Sequence, residues 1–261
     1  MLAIERHNRI LKLLADNVHI TTNELSELLE VSAATIRNDL NKLEKDKLIL
    51  KTHGGATLLS PAMQRPQNLF PFNEREFKNS SEKEAISNMA LRHIEEGQCI
   101  ILDASSTALA VARKLDRFSR LTVITNGIYT MLALKDISNI TVIFIGGIVT
   151  KNSGSTEGLL GYDLLNRINA ADTAFVSAHG FTLKEGLTDF NIYEAELKKQ
   201  MVLHSRKRIA LLDHTKFEHI STASFCFSKD INSVITDEQI DPQLLSQYKN
   251  SGINIEVSPL S

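Results

Sequence analysis

Tryptophan is absent from this chain of 261 residues, and cysteine occurs only twice. Cys99 and Cys226 each lie in an apolar strand-like run, so they supply no disulfide framework and read as buried, reduced thiols. His179, His204, His214 and His219 show no i,i+4 or Cys-X-X-Cys-type spacing completed by a third ligand, so no metal site and no cofactor is expected. No apolar run approaches the roughly 18 residues needed to cross a bilayer. The first fifteen residues mix Glu5, Arg6, His7, Arg9 and Lys12 with apolar positions, unlike a signal peptide, which points to a cytoplasmic protein without a membrane partner. An excess of positive charge is also lacking. The formal net charge is −2, which excludes a generally basic architectural coat for nucleic acid.

The distribution of charge is more informative than its sum. Within residues 37–51 there are five cations, Arg37, Lys42, Lys45, Lys47 and Lys51, against three acids, whereas residues 16–30 carry only acids. A first helix is expected from Ala3 to Asp16, with Ile10, Leu11 and Leu14 on one side. His19-Ile20 breaks it. Thr21 followed three residues later by Glu24 is capping-box chemistry ahead of a helix from Thr22 to Leu29. Ser32 is a suitable N-cap for a third helix, in which Ile36, Leu40 and Leu43 form a buried stripe and Ala34, Arg37, Asn38, Asn41 and Lys45 face outward. Small residues, amides and cations on one face suit base edges and phosphates better than an ordinary solvated Glu/Lys face does. Leu48 to Lys51, the turn His53-Gly54-Gly55 and Ala56 to Leu59 read as a hairpin. The order describes a winged helix-turn-helix.

Three of the five prolines, Pro61, Pro66 and Pro71, fall in one short window, which reads as a linker, although Leu69, Phe70 and Phe72 are too apolar for a purely solvated tether. The expected division is a DNA-binding domain over 1–59, a linker over 60–75 and a larger domain over 76–261. In the larger domain a helix from about Ser81 to Glu95 precedes short β-branched runs at Cys99–Asp103, Thr122–Thr125, Thr141–Ile145, Thr173–Ser177, Arg208–Asp213 and Ser233–Thr236. Helical stretches separate them, so a mostly parallel sheet covered on both faces is expected, and the whole chain is of the α/β class.

Ligands of such sheets bind beyond the carboxyl ends of the strands. Asp103, Ser105, Ser106 and Thr107 follow the first strand and lead into a helix, an anion cradle whose plain alternative is an N-cap. Thr125 and Asn126, then Gly146 and Gly147, end the next two strands. Ser155, Glu157 and Gly158 add hydroxyl, carboxylate and close backbone approach, and Glu194, Asp213 and Lys216 add charge. Taken singly these residues are caps, turns and surface charges; it is their convergence at successive strand ends that points to a phosphate-bearing small ligand.

Over nearly its full length the chain resembles the DeoR family of bacterial transcriptional regulators. The resemblance rests on Arg6, on Val31-Ser32 ahead of Ala34-Thr35-Ile36-Arg37-Asn38-Asp39-Leu40, on Leu43-Glu44, and on His53-Gly54-Gly55-Ala56. The second half is similar to the family's sugar-phosphate sensor domain, a fold related to ribose-5-phosphate isomerases, through Asp103 to Thr107, Thr125-Asn126, Gly146-Gly147, Gly154-Ser155 with Gly158, Glu194-Ala195, and Asp213 with Lys216-Phe217. Ala104, His179 and His214 depart from the pattern and bear on sugar preference. The resemblance implies a repressor that leaves operator DNA when a phosphorylated sugar or sugar alcohol binds. On this reading Arg37, Asn38 and Asn41 read bases, and Thr35, Lys42, Lys45 and Lys51 meet phosphates. Thr22, Ser32, Ala34, His53 and Gly54 complete the contact surface. Two-fold operators call for a homodimer or homotetramer. The competing reading is an aldose–ketose isomerase using Asp103, Glu194 or Asp213 with Lys216; the attached DNA-binding domain argues against it, and no catalytic residue is assigned.

Overall fold

The computed structural model describes residues 3–16, 19–45, 49–52, 54–58, 72–150 and 153–260. Leu48, His53, Leu59 and residues 60–71 of the linker expected over 60–75 lie outside them. Two compact units are present, Met1–Lys78 and Asn79–Ser261.

The first unit contains α1 (Ala3–Asp16), β1 (Ile20–Thr21), α2 (Thr22–Leu28), α3 (Ala33–Lys45), β2 (Ile49–Thr52), β3 (Gly55–Leu58) and α4 (Phe72–Phe77). Thr21 caps α2 as expected: its hydroxyl accepts the Glu24 N–H at 3.2 Å, while Glu24 Oε2 accepts the Thr21 N–H at 2.7 Å. Ser32 Oγ accepts the Thr35 N–H at 3.1 Å and so starts α3. Ile10, Leu14, Leu25, Ile36, Leu40, Leu43 and Ile49 close a core around these helices. The wing is a three-stranded sheet, β1-β3-β2, turned by Gly54 at φ 105°. Gly55 admits no side chain, since a Cβ there would lie 2.3 Å from the Ile20 carbonyl oxygen. Residues 72–75, assigned to the linker from sequence, begin α4 instead. Phe72 is buried and Phe77 packs on the winged-helix core, which gives this segment a reason to fold.

The second unit contains α5 (Ser80–Ala90), β4 (Cys99–Leu102), α6 (Ser106–Ala112), β5 (Leu121–Thr125), α7 (Ile128–Leu134), β6 (Ile140–Phe144), α8 (Tyr162–Leu165), β7 (Ala171–Val176), β8 (Gly180–Thr182), β9 (Gly186–Asp189), α9 (Ile192–Leu203), β10 (Ser205–Leu211), β11 (Ala223–Cys226), β12 (Ser233–Asp237), α10 (Pro242–Asn250) and β13 (Ile255–Ser258). Seven strands form a parallel sheet in the order β13-β12-β10-β7-β4-β5-β6. Alternation along each strand feeds both faces: Ile101, Ile124, Ala174, Ala210 and Val234 enter one core, and Ile100, Val123, Phe175, Ile209 and Ile235 the other. The chain steps outward through β4, β5 and β6, then returns to lay β7 on the other side of β4. That reversal makes the carboxyl ends of β4 and β7 the topological switch point of the sheet. Sequence periodicity anticipated six of these seven strands and missed β13. It also missed a small antiparallel sheet, β11-β9-β8.

Candidate functional site

In the first unit α3 is fixed from behind. Asp39 lies on its buried face and accepts from Arg6 Nε at 2.5 Å and Arg6 Nη2 at 3.1 Å, with His7 Nε2 2.9 Å away. Burial works against ionisation of Asp39, yet Arg6 and His7 outweigh it and hold the carboxyl below its usual range. This clamp joins α1 to α3 and was not identified from sequence. Facing outward are Ala34, Arg37, Asn38, Asn41, Lys42 and Lys45, all exposed. Arg37 and Asn38 have no hydrogen-bond partner among the described residues. Lys51 Nζ, in contrast, donates to Asn41 Oδ1 at 2.5 Å and lies 3.9 Å from Glu44, so the wing is tied to α3 through a residue of its outward face. Ser32 and Thr35 share a hydroxyl contact of 2.9 Å. Thr22 is buried, and its N–H donates to the Gly54 carbonyl at 2.8 Å; Gly54 itself is exposed.

At the switch point of the second unit a lysine sits among carboxylates. Lys198 Nζ, on α9, is 2.6 Å from Asp189 Oδ2, 3.1 Å from Asp103 Oδ2 and 3.8 Å from Glu194 Oε1, and it donates to the Ser177 carbonyl at 3.0 Å. All four side chains are buried. Burial alone would lower the lysine pKa; Asp189, Asp103 and Glu194 reverse this and raise it above the ordinary value, so Lys198 is a fixed cation. Asp103 is further held by the N–H groups of Ser105 at 3.1 Å and Ser177 at 2.9 Å, which bridge the ends of β4 and β7. Neither Lys198 nor Asp189 was singled out from sequence.

Around this cluster the expected residues fall into three groups. Ser105 is spent as an N-cap, accepting the Ala108 N–H at 3.0 Å, and Ser106 and Thr107 are buried at the same helix start. Thr125, Asn126, Ser155, Glu157 and Gly158 form one connected layer. Thr125 Oγ1 accepts the Gly127 N–H at 3.0 Å, Asn126 Nδ2 donates to the Thr156 carbonyl at 3.0 Å, and Gly127 bridges to Ser155. Glu157 Oε2 accepts from Asn191 Nδ2 at 2.7 Å, and Asn191 caps α9 by accepting the Glu194 N–H at 3.4 Å. Gly147 serves this layer, because a Cβ there would meet the Glu157 carbonyl oxygen at 2.6 Å, whereas Gly146 is exposed. Asp213 and Lys216 follow β10 in a turn of their own. The Asp213 carboxylate accepts the Thr215 N–H at 3.0 Å and the Thr215 hydroxyl, and although burial opposes it, Lys216, Thr215 and Lys83 keep its pKa below the usual value.

A winged helix-turn-helix with an outward Arg/Asn face, on the same chain as a parallel α/β domain with polar loops at its switch point, is the architecture of a DNA-binding regulator with a second, larger domain. Residues 6–62 match the DeoR-like helix-turn-helix domain and residues 78–238 the DeoR C terminal sensor domain. The chain belongs to the DeoR family of transcriptional regulators. It is similar to the HTH-type transcriptional regulator GolR of Listeria innocua, with 50% identity over 99% of this chain and 100% of that one. The glycerol-3-phosphate regulon repressor of Escherichia coli is 27% identical over 97% of this chain and 98% of its own. Among solved structures, ribose 5-phosphate isomerase A of Methanocaldococcus jannaschii aligns at a TM-score of 0.40 and 16% identity, covering 54% of this chain and 55% of that one, too slight a likeness to bear on activity. Among the described residues no helix is long and apolar enough to cross a membrane.

Proposed function

We propose that the chain is a cytoplasmic repressor of a carbohydrate catabolic operon, and that a phosphorylated sugar or sugar alcohol bound at the switch point of the second unit releases it from operator DNA. The observation that carries the DNA half is the exposed pair Arg37 and Asn38 on a helix whose opposite face is pinned by Asp39, Arg6 and His7. A positioned guanidinium and amide are the side chains that read guanine and adenine edges in the major groove. Thr35, Lys42, Lys45 and Lys51 act on phosphates, with Ser32, Ala34 and Gly54 beside them.

For the ligand half, support comes from Asn126. Its Oδ1 is buried without a hydrogen-bond partner among the described residues. An unmet buried acceptor costs on the order of 1–3 kcal/mol, and a hydroxyl brought by a polyol ligand would offset that cost. Ser106, Thr107, Ser155, Gly146 and Lys216 are the groups assigned to the phosphate and remaining hydroxyls. Asp103 and Glu194 hold Lys198 at the strand ends, and a sensor role, not isomerisation, is the function assigned to this site. The reading is tested by thermal shift against phosphorylated sugars and alditols beside their unphosphorylated forms. Stabilisation that grows with ligand concentration is expected from the phosphorylated set; equal or absent shifts from both sets would overturn it.

A further inference from the structure

Six large apolar side chains of the second unit, Ile148, Val149, Leu159, Leu160, Ile192 and Tyr193, each stand more than half exposed, Leu160 at 74%. They come from three chain segments that the structure holds side by side. Ile148 and Glu157 exchange backbone hydrogen bonds of 3.0 and 2.9 Å, and Ile148 Cδ1 lies against Gly158, next to Leu159. Glu157 in turn accepts from Asn191, the residue before Ile192 and Tyr193. Gly161 seats the same turn on Ile145, the residue after β6, and Leu197 of α9. The strips 145–150 and 158–162 contain no charged residue.

Together these side chains present on the order of 700 Å² of accessible surface, close to the roughly 800 Å² per partner of a standard protein interface and above the largest patch of a typical monomer. Absence of charge at its centre is the compositional mark of an interface core. We propose that this rim is the docking surface for a second copy of this chain, paired across a two-fold axis. An uncharged apolar patch is complementary to itself, which is what an isologous contact requires. One helix-turn-helix makes few DNA contacts, and a pair supplies two reading helices for a two-fold operator.

The proposal is tested by sedimentation velocity on the full chain over low to high micromolar concentration, without DNA or ligand, so its outcome is independent of the proposed function. Leu160→Glu and Tyr193→Glu place charge in the rim at exposed positions that the fold tolerates. Leu203→Glu is the control; Leu203 is equally exposed but lies at the far end of α9, about 16 Å along the helix from Ile192. The wild type and Leu203→Glu are expected to sediment as a dimer or a multiple of it, and both rim variants to dissociate at concentrations at least tenfold higher, with circular dichroism and melting temperature unchanged. A monomeric wild type, rim variants that associate like the wild type, or a control that dissociates with them would overturn the proposal.

Discussion

Lys198 Nζ lies 2.6 Å from Asp189 Oδ2, and both side chains are buried where α9 crosses the end of β9. Asp103 and Glu194 crowd the same ammonium group, so removal of the cation would leave three carboxylates without it. Lys198→Met is therefore expected to destabilise the chain by about 3–5 kcal/mol, the range for an orphaned buried charge. Urea unfolding at pH 7 measures it. A loss below about 1 kcal/mol would show that the cluster relaxes into solvent or takes up protons at little cost.

The buried charges also set the pH response. Asp39 and Asp213 both have depressed pKa values, so their contribution is present above the unfolded carboxylate value of about 3.9 and is lost as pH falls through their folded values. Lys198 has a raised pKa; its contribution is full below about 10.4 and is lost only on the alkaline side. Asp39→Asn should cost about 2–3 kcal/mol at neutral pH, and the gap to wild type should narrow as the acid limb is entered. Parallel urea melts at pH 7 and pH 3 check this. A gap that widens in acid would contradict the assignment.

Arg37 is exposed, so Arg37→Ala should leave folding unchanged while weakening specific DNA binding by about 1–3 kcal/mol if it reads a guanine. Gel-shift titration at fixed salt decides the matter. Unchanged affinity removes Arg37 from the reading set.

Lys216→Ala should keep DNA affinity but raise the sugar-phosphate concentration needed for release about tenfold or more, as loss of a charge-assisted phosphate contact implies. Release of this variant at the wild-type ligand concentration would place the phosphate elsewhere.

Much of this was legible from residue order because most segments follow a single period. The winged unit was readable from Ile36, Leu40 and Leu43, from the Thr21 and Glu24 pair, and from the two glycines of the hairpin. The parallel sheet was readable from β-branched runs, while β8, β9 and β11, three or four residues each, the first two starting at Gly180 and Gly186, are too short to show an alternation. The two ionic centres escaped for a common reason. Asp39 stands at helical spacing between Ile36 and Leu43, and Lys198 between Leu197, Met201 and Val202, all of them buried. A charge inside an apolar stripe signals a buried partner, but the partners are 33 residues away for Arg6 and 95 for Asp103. Glu194 reads from sequence as a site charge without its partner Lys198, four residues on. Ser105 was ambiguous from sequence, and its geometry is that of a cap.

A repressor released by a ligand requires that binding in the second unit change the DNA affinity of the first. The most direct test is the dissociation constant for a duplex that the full chain selects from random DNA, measured at fixed salt with and without a panel of phosphorylated sugars and alditols and their unphosphorylated counterparts. The account predicts at least a tenfold weakening with one or more phosphorylated compounds and none with the matching free polyols. Affinity unchanged across the phosphorylated panel, or weakened equally by the free polyols, would contradict it.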